Sequence, residues 1–144
     1  MEWKTSPGTG DDPGPGVAAL GIGDRQANPL IGQPPRLSCH LIVRKDGWSY
    51  GVSPGTMTKG SMTLFPIAGG QFSPPLRDDG TTTYRAQVQI KGDSVHLELP
   101  DGSAHDFSDP RVAAWSGRYA FFEAFAQNGR DDGRVGITRV WADT

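Results

Sequence analysis

The stretch that decides the fold runs from Tyr84 to Phe107 and reads YRAQVQIKGDSVHLELPDGSAHDF. Apolar and polar residues alternate along it, and the alternation resumes after two turn signals, Gly92-Asp93 and Asp101-Gly102. A period of two is typical of β-strands that bury one face. Two-residue turns at these pairs predict three antiparallel strands, with one face in the core and the other in solvent.

The register of these strands separates an inner set of side chains from an outer set. We expect the inner face to carry Tyr84, Ala86, Val88, Ile90, Val95, Leu97 and Leu99. We expect the outer face to carry Arg85, Gln87, Gln89, His96, Glu98 and His105. With a two-residue turn at Asp101-Gly102, Gln87, Glu98 and His105 share one row across the three strands.

The rest of the chain after residue 33 also has the pattern of short strands separated by turns. RLSCHLIVR and WSYGV flank a turn at Asp46-Gly47, which pairs Val43 with Tyr50 and Leu41 with Val52. SDPRVAAWSG predicts a short helical turn capped by Ser108, and RYAFFEAFAQ and VGITRVWAD predict the last two strands. The predicted fold class is all-β, an antiparallel, jelly-roll-like β-sandwich.

Residues 1–33 differ in composition, because glycine and proline interrupt every short apolar run. Such a segment buries too little surface to fold by itself. We therefore expect two parts, with 1–33 as a flexible tail or extended arm and 34–144 as the β-sandwich domain. As an arm, it lies along a partner and mediates homo- or hetero-oligomer formation. Its anchors are Trp3, Leu20, Ile22, Leu30 and Ile31.

The charge and the cysteine content exclude several classes of function. The net charge is -2 with a pI near 5.8, so no basic excess points to nucleic acid or to a membrane surface. The sequence has no transmembrane-length apolar run and no apolar signal-peptide core, which leaves the localisation open. The single cysteine, Cys39, can form no internal disulfide, and its strand pattern predicts a buried thiol.

From Tyr84 onward the order of features resembles the C-terminal half of a concanavalin A-like jelly roll, a family that includes laminin G-like modules. The resemblance rests on TYRAQVQIKGDSVHLELPDGS, the loop DFSDPRVAAWSG, and the strands GRYAFFEAF and VGITRVWAD, over about residues 84–143. It implies a domain that binds glycans or cleaves them, and an extracellular or virion-surface location if the lectin-like reading holds.

Catalytic and metal signatures are weak in this sequence. Glycosidases of the resembled fold carry clustered acidic residues along one strand, whereas Glu98 and Glu123 have no acidic neighbour at i+2 or i+4. His96, Glu98 and His105 could bind zinc, but a nearly flat sheet face splays them. Oxygen ligands in NGRDDG, at Asn128, Asp131 and Asp132, fit a plain polar turn better than a calcium loop. We expect no catalytic residue, no metal site and no cofactor.

The candidate ligand-binding residues are Gln87, Gln89, His96, Glu98, His105 and Trp115. Amides and carboxylates can hydrogen-bond hydroxyl groups, and an exposed tryptophan can stack on a sugar ring. The leading hypothesis is a non-enzymatic, lectin-like module that binds a glycan or a protein surface. The alternatives are a structural subunit of a larger assembly, such as a phage tail or capsid component, and a glycoside hydrolase-like enzyme.

Overall fold

A computed structural model describes residues 1–7, 16–25, 37–55, 57–58, 61–115, 117–126 and 135–143. Over these residues the protein consists of antiparallel β-strands and one short helix, which confirms the all-β prediction. In chain order the elements are β1 (Glu2–Thr5), β2 (Gly16–Gly23), β3 (Ser38–Val43), β4 (Gly47–Ser53), β5 (Met57–Thr58), β6 (Ser61–Met62), β7 (Phe65–Gln71), β8 (Thr83–Arg85), β9 (Gln87–Lys91), β10 (Ser94–Glu98), β11 (Ala104–Ser108), α1 (Pro110–Trp115), β12 (Tyr119–Ala126) and β13 (Val135–Arg139).

Within the described ranges, the strands form four antiparallel sheets. The largest has five strands in the order β12-β2-β3-β4-β7. Two sheets have three strands each, in the orders β13-β1-β8 and β11-β10-β9, and β5 pairs with β6. Only Ala86 separates β8 from β9, so the two three-stranded sheets follow each other along one nearly continuous stretch of chain.

The hairpin of β9 and β10 has the predicted register. Val95 pairs with Ile90 and Leu97 pairs with Val88, across the turn at Gly92-Asp93. Gly92 has a φ of 62°, which suits a residue without a side chain in a tight turn. The predicted inner face is confirmed, because Tyr84, Ala86, Val95, Leu97 and Leu99 are buried and Val88 and Ile90 pack against them.

The hairpin of β10 and β11 is one residue out of the predicted register. Its loop contains three residues, since the N–H of Leu99 donates to the carbonyl of Ser103 (2.9 Å). A two-residue loop would make Pro100 and Ser103 the first hydrogen-bonded pair, and proline has no N–H to donate. Gly102, with a φ of 84°, completes the longer loop. A shift of one residue turns every side chain of β11 to the opposite face.

The hairpin of β3 and β4 is also shifted, but its faces are as predicted. The N–H of Arg44 donates to the carbonyl of Gly47 (2.8 Å), which makes Lys45 and Asp46 the loop. Val43 therefore pairs with Trp48, and Leu41 pairs with Tyr50. The observed register differs from the predicted one by an even number of residues, so the buried side chains lie on the predicted face.

One face of the five-stranded sheet packs on the inner face of β11-β10-β9. The ring of Trp48 lies 4.7 Å from that of His105, and Tyr50 meets Phe107 edge-on at 5.3 Å between centroids. Val112 of α1 is fully buried, and its carbonyl lies 3.8 Å from the sulfur of Cys39. These contacts form a single hydrophobic core between the sheets.

The prediction of a tail or partner-bound arm over residues 1–33 is wrong for the described part of that segment. β1 is the central strand of its sheet, and β2 lies between β12 and β3. Trp3 is 2% exposed and Leu20 8%, both in the chain's own core. Residues 26–36, with the proposed anchors Leu30 and Ile31, lie outside the described residues.

Small residues explain why β2 resembles a linker in composition and still forms a central strand. Val17, Ala18 and Ala19 are all buried, so both faces of the strand are covered. A side chain at Gly21 would overlap the Phe121 ring. The missing side chain therefore lets Phe121 lie over the strand.

The C-terminal elements follow the sequence prediction closely. α1 begins at Pro110, and its cap is Asp109 rather than Ser108, because the Asp109 carboxylate accepts from the N–H of Arg111 (2.9 Å). β12 and β13 are strands, as their aromatic and β-branched residues predict. Within the described ranges, no helix is both long and apolar enough to cross a membrane.

Candidate functional site

Four of the six predicted site residues lie where the sequence places them, on the outer face of β9 and β10. Gln87 pairs with Glu98, and Gln89 pairs with His96. Glu98 and Gln89 are exposed, while Gln87 and His96 are half-buried. The guanidinium of Arg85 donates to the side-chain oxygen of Gln87 (3.1 Å). The polar face predicted on these two strands is therefore present and open to solvent.

The predicted row of Gln87, Glu98 and His105 is wrong for His105. The three-residue loop pairs His105 with Leu97, on the inner face, and Glu98 with Ala104. The imidazole packs on Trp48, and its Nε2 forms a 3.2 Å hydrogen bond with the Ser103 hydroxyl. His105 is a packing residue at the edge of the core and does not share a surface with His96 and Glu98.

Asp106 replaces His105 on the outer face. Its carboxylate lies 2.8 Å from Nδ1 of His96, and the hydroxyls of Ser94 and Ser108 meet at 3.0 Å in the next row. A serine, a histidine and an aspartate thus share one face. None of the described hydrogen bonds links a serine to His96, so they form no nucleophile–base pair.

Metal binding and glycosidic chemistry find no geometric support in the predicted residues. His96 and His105 point to opposite faces, so they cannot join Glu98 around one zinc ion. Among the described residues, no three His, Cys, Asp or Glu side chains converge as a metal site. Asn128, Asp131 and Asp132 lie outside the described ranges.

Glu98 and Glu123 lie on opposite sides of the molecule. Glu98 projects outward from β10, while Glu123 pairs with Ala19 on the face of the five-stranded sheet that turns away from β10. They cannot flank one bond as an acid and a nucleophile. Burial raises the pKa of the Glu123 carboxyl, which fits its covered position.

The remaining two predictions concern single residues. Trp115, at the last position of α1, is half-buried and packs against the core, apart from the outer face. Cys39 is 2% exposed, which confirms the predicted buried thiol, and burial raises its pKa to about 11. A thiol with such a pKa is a poor nucleophile.

A cleft of about 800 Å³ lies beside β9. It separates the edge of β9 from the five-stranded sheet, which forms its floor. Most of its lining is apolar, and the polar side chains other than Tyr50 stand at its rim. Its lining includes Leu20, Ile22, Cys39, Tyr50, Gln87, Val88, Gln89, Ile90, Arg118, Ala120, Phe122 and Trp141.

Tyr50 lines the cleft and carries an unsatisfied polar group. Its side chain is 1% exposed, and its hydroxyl has no hydrogen-bond partner among the described residues. The Cys39 thiol is near enough to influence the pKa of this hydroxyl by its charge and as a weak hydrogen-bonding neighbour, but the two groups do not reach the distance and angle of a full hydrogen bond. Burial raises the pKa of Tyr50, so the hydroxyl keeps its proton and can donate. A buried hydroxyl without a partner costs stability and calls for an explanation.

The rim of the cleft is polar and partly aromatic. Gln87 and Gln89 border it because β9 is an edge strand of its sheet. Trp141 stands on the other side, with the guanidinium of Arg85 5.0 Å and that of Arg139 5.9 Å from its ring centre. Cations over an indole face hold the ring in place.

Sequence reasoning missed this cleft as a site, although it singled out several of its residues. The alternation places Gln87 and Gln89 on the outer face, and both also border the cleft. A signal for Tyr50 was also present, because a tyrosine among inward apolar residues of a strand needs a partner for its hydroxyl. The cleft itself depends on contacts between distant segments, which a local pattern does not reveal.

Comparisons with known proteins add no assignment. No protein-family model, no curated protein and no solved structure matches this chain.

Proposed function

We propose that this chain is a non-enzymatic binding module with a β-sandwich architecture of the concanavalin type, and that its ligand occupies the cleft beside β9. The observation that carries the proposal is the cleft itself, whose apolar floor holds the buried, unpartnered hydroxyl of Tyr50. Its volume of about 800 Å³ falls in the range of ligand sites, which are mostly apolar with a few placed polar groups.

The cleft is a better binding surface than the outer face of β9 and β10. That face carries a smaller and more open depression of about 490 Å³, and its central pair, His96 and Asp106, already satisfies itself. An apolar floor of Leu20, Ile22 and Phe122 also disfavours a glycan inside the cleft, because it would leave sugar hydroxyls without partners. A glycan is therefore a weaker candidate than a ligand with an apolar side.

The assembly alternative loses the feature on which it was based. The described parts of the N-terminal segment, β1 and β2, belong to the chain's own sheets and are not free to lie across a neighbour. The hydrolase alternative loses its carboxylate pair, because Glu98 and Glu123 lie on opposite outer faces.

The test is a binding screen followed by NMR on the isotope-labelled full chain, with small organic fragments, oligosaccharides and extended peptides as probes. We expect bound probes to shift the amide signals of Ile22, Val88 and Ile90. Signals that move only at His96 and Glu98 would assign binding to the outer face instead.

A paired substitution separates cleft binding from general loss of structure. Ala120 is exposed and lines the cleft, so Ala120→Trp fills it without displacing a buried side chain. Ala114, exposed on α1, offers the matched control Ala114→Trp. We expect the first variant to lose probe binding and the second to keep it. Equal binding by both variants would place the ligand elsewhere.

A further inference from the structure

Among the residues that the structure describes, β9 has a partner strand on only one of its two edges. On one side it pairs with β10 along its whole length. On the other side, the backbone groups of Ala86 and Met1 exchange two hydrogen bonds, of 2.9 and 3.0 Å. That is where β1 ends, and within the described part of the chain no strand continues along the residues 87–91.

Two residues of β9 present their backbone groups to this free edge. In an antiparallel ladder the N–H and C=O of one residue point to the same neighbour, and alternate residues point the same way. The backbone N–H and C=O of Ala86 point to Met1, so the backbone groups of Val88 and Ile90 point to the same side. Two N–H and two C=O groups are therefore available next to the cleft. Val88, Ile90 and Met1 all line it.

The cleft has the position of a strand that none of the described residues supplies. In the neighbouring sheet, β1 lies between β8 and β13. Past Met1, the cleft continues the line of β1. It is bordered by β9 on one side and by residues 141–143, which follow β13, on the other. Leu20, Ile22 and Phe122 lie below it, on the five-stranded sheet.

We propose that an extended segment of a partner protein binds in the cleft as an added antiparallel strand. This strand runs in the direction of β1 and is hydrogen-bonded to Val88 and Ile90. This inference rests on the proposed function of the cleft. It explains why an edge strand, which attracts unwanted pairing, is left open here. Addition of a strand to a sheet edge is a general mode of peptide recognition.

The geometry also sets the sequence pattern of the partner. Residues opposite Val88 and Ile90 point down into the cleft, so they are apolar and contact the floor. An inward serine or threonine beside Tyr50 provides the missing partner for its hydroxyl. Residues between them point outward, level with Gln87 and Gln89, and are polar. The partner segment therefore alternates apolar and polar residues over five to seven positions, a length of roughly 20 Å.

A peptide with this pattern provides the first test. The probe is an acetylated and amidated heptapeptide, Lys-Val-Gln-Thr-Gln-Val-Lys, added to the labelled full chain. We expect the amides of Val88 and Ile90 to exchange with solvent about tenfold more slowly or slower still when it binds. The amides of Gln87 and Gln89, which already pair with β10, keep their exchange rates.

N-methylated peptides provide a control that leaves the protein unchanged. Methyl groups on the inward Val, Thr and Val nitrogens remove the donors that face β9, and we expect binding to fall at least about tenfold. Methyl groups on the outward Gln nitrogens leave those donors in place, and we expect binding to persist. Equal loss with both peptides would argue against strand pairing with β9.

Fusing the heptapeptide sequence directly before Met1 tests strand addition to β9 at a high effective concentration of the peptide. We expect this fusion to protect Val88 and Ile90 and to raise the melting temperature, while a Gly-Ser extension of equal length does neither. Light scattering distinguishes filling by the joined segment from pairing of two copies.

The outcomes separate this inference from the proposed function. If small molecules occupy the cleft but neither peptide format protects Val88 and Ile90, the strand inference is wrong and the binding module remains. If no probe of any class occupies the cleft, both are wrong.

Discussion

Leu97 and His105 face each other across β10 and β11, and this pairing turns the imidazole of His105 onto the ring of Trp48 at 4.7 Å. His96 is the neighbour of Leu97 on the same strand, and it points the opposite way, to Asp106. Two histidines of one hairpin thus have different surroundings, because a loop of three residues separates their strands.

The first prediction compares these two histidines. We expect His105→Ala to lower the free energy of unfolding by about 1–3 kcal/mol, because it removes an imidazole packed on Trp48. His96→Ala serves as the control and should change it by less than about 1 kcal/mol, since the exposed pair with Asp106 contributes little. Urea unfolding measures both. A larger loss of stability in His96→Ala than in His105→Ala would indicate that His105 lies on the outer face.

The second prediction concerns the N-terminal segment. Trp3 is 2% exposed and its ring lies 6.1 Å from that of Tyr84. We expect Trp3→Ala to cost about 3–5 kcal/mol through the cavity that it leaves. Lys4→Ala, one residue further along β1 and on its other face, should cost less than about 1 kcal/mol. Thermal unfolding of the two variants decides, and equal melting temperatures would support a free arm.

Much of the fold was predictable wherever partners are close in sequence. The β9–β10 register was correct because Gly92-Asp93 joins adjacent strands. The predicted register of β10 and β11 was wrong because Pro100 has no N–H for the first hydrogen-bonded pair, and apolar–polar alternation alone does not reveal this. β2 was missed for a different reason: its partner β12 lies about 100 residues away, and its alanines and glycines are buried on both faces without a strong alternation.

The candidate site was predictable only in part, for the same reason. Gln87 and Gln89 were found because they alternate with core residues along one strand. The cleft beside them is lined by Met1, Leu20, Tyr50 and Trp141, which come from four separate segments. Whether such segments meet, and whether they leave space between them, depends on long-range packing.

The third prediction is a loss of stability in mild acid that depends on His40. This imidazole is 1% exposed, lies 2.6 Å from the Ser38 hydroxyl and touches the ring of Phe121. Burial lowers its pKa from 6.5 to about 4. Between these values the unfolded chain binds a proton that the folded chain does not, so stability falls as the pH falls. The full effect is about 3 kcal/mol.

Glu123, on the same face of the five-stranded sheet, acts in the opposite direction. Burial raises its pKa, so the folded chain holds that proton more strongly and gains stability as the pH falls through its range. The net slope therefore needs a control. We expect His40→Gln, which stays neutral and can still reach Ser38, to remove the loss between pH 6.5 and 4 in urea unfolding. An unchanged profile would assign the acid sensitivity to other groups.

The last prediction contrasts two buried tyrosines. The hydroxyl of Tyr84 accepts from the N–H of Arg77 (2.5 Å) and donates to its carbonyl (3.0 Å), whereas the hydroxyl of Tyr50 has no partner among the described residues. We expect Tyr84→Phe to cost about 1–2 kcal/mol, because it leaves the backbone groups of Arg77 unpaired.

Tyr50→Phe should leave the stability unchanged or raise it by up to about 1 kcal/mol, since it removes a hydroxyl that burial penalises. The same substitution should weaken binding of the threonine-containing heptapeptide several-fold, because the ligand loses the donor at the floor of the cleft. Calorimetric titration beside urea unfolding measures both effects. If the hydroxyl lowers stability and binds the ligand, Tyr50→Phe should gain stability in urea unfolding and lose affinity in calorimetric titration. Loss of stability in Tyr50→Phe would show instead that the hydroxyl is satisfied within the folded chain, and the cleft would lose its polar anchor.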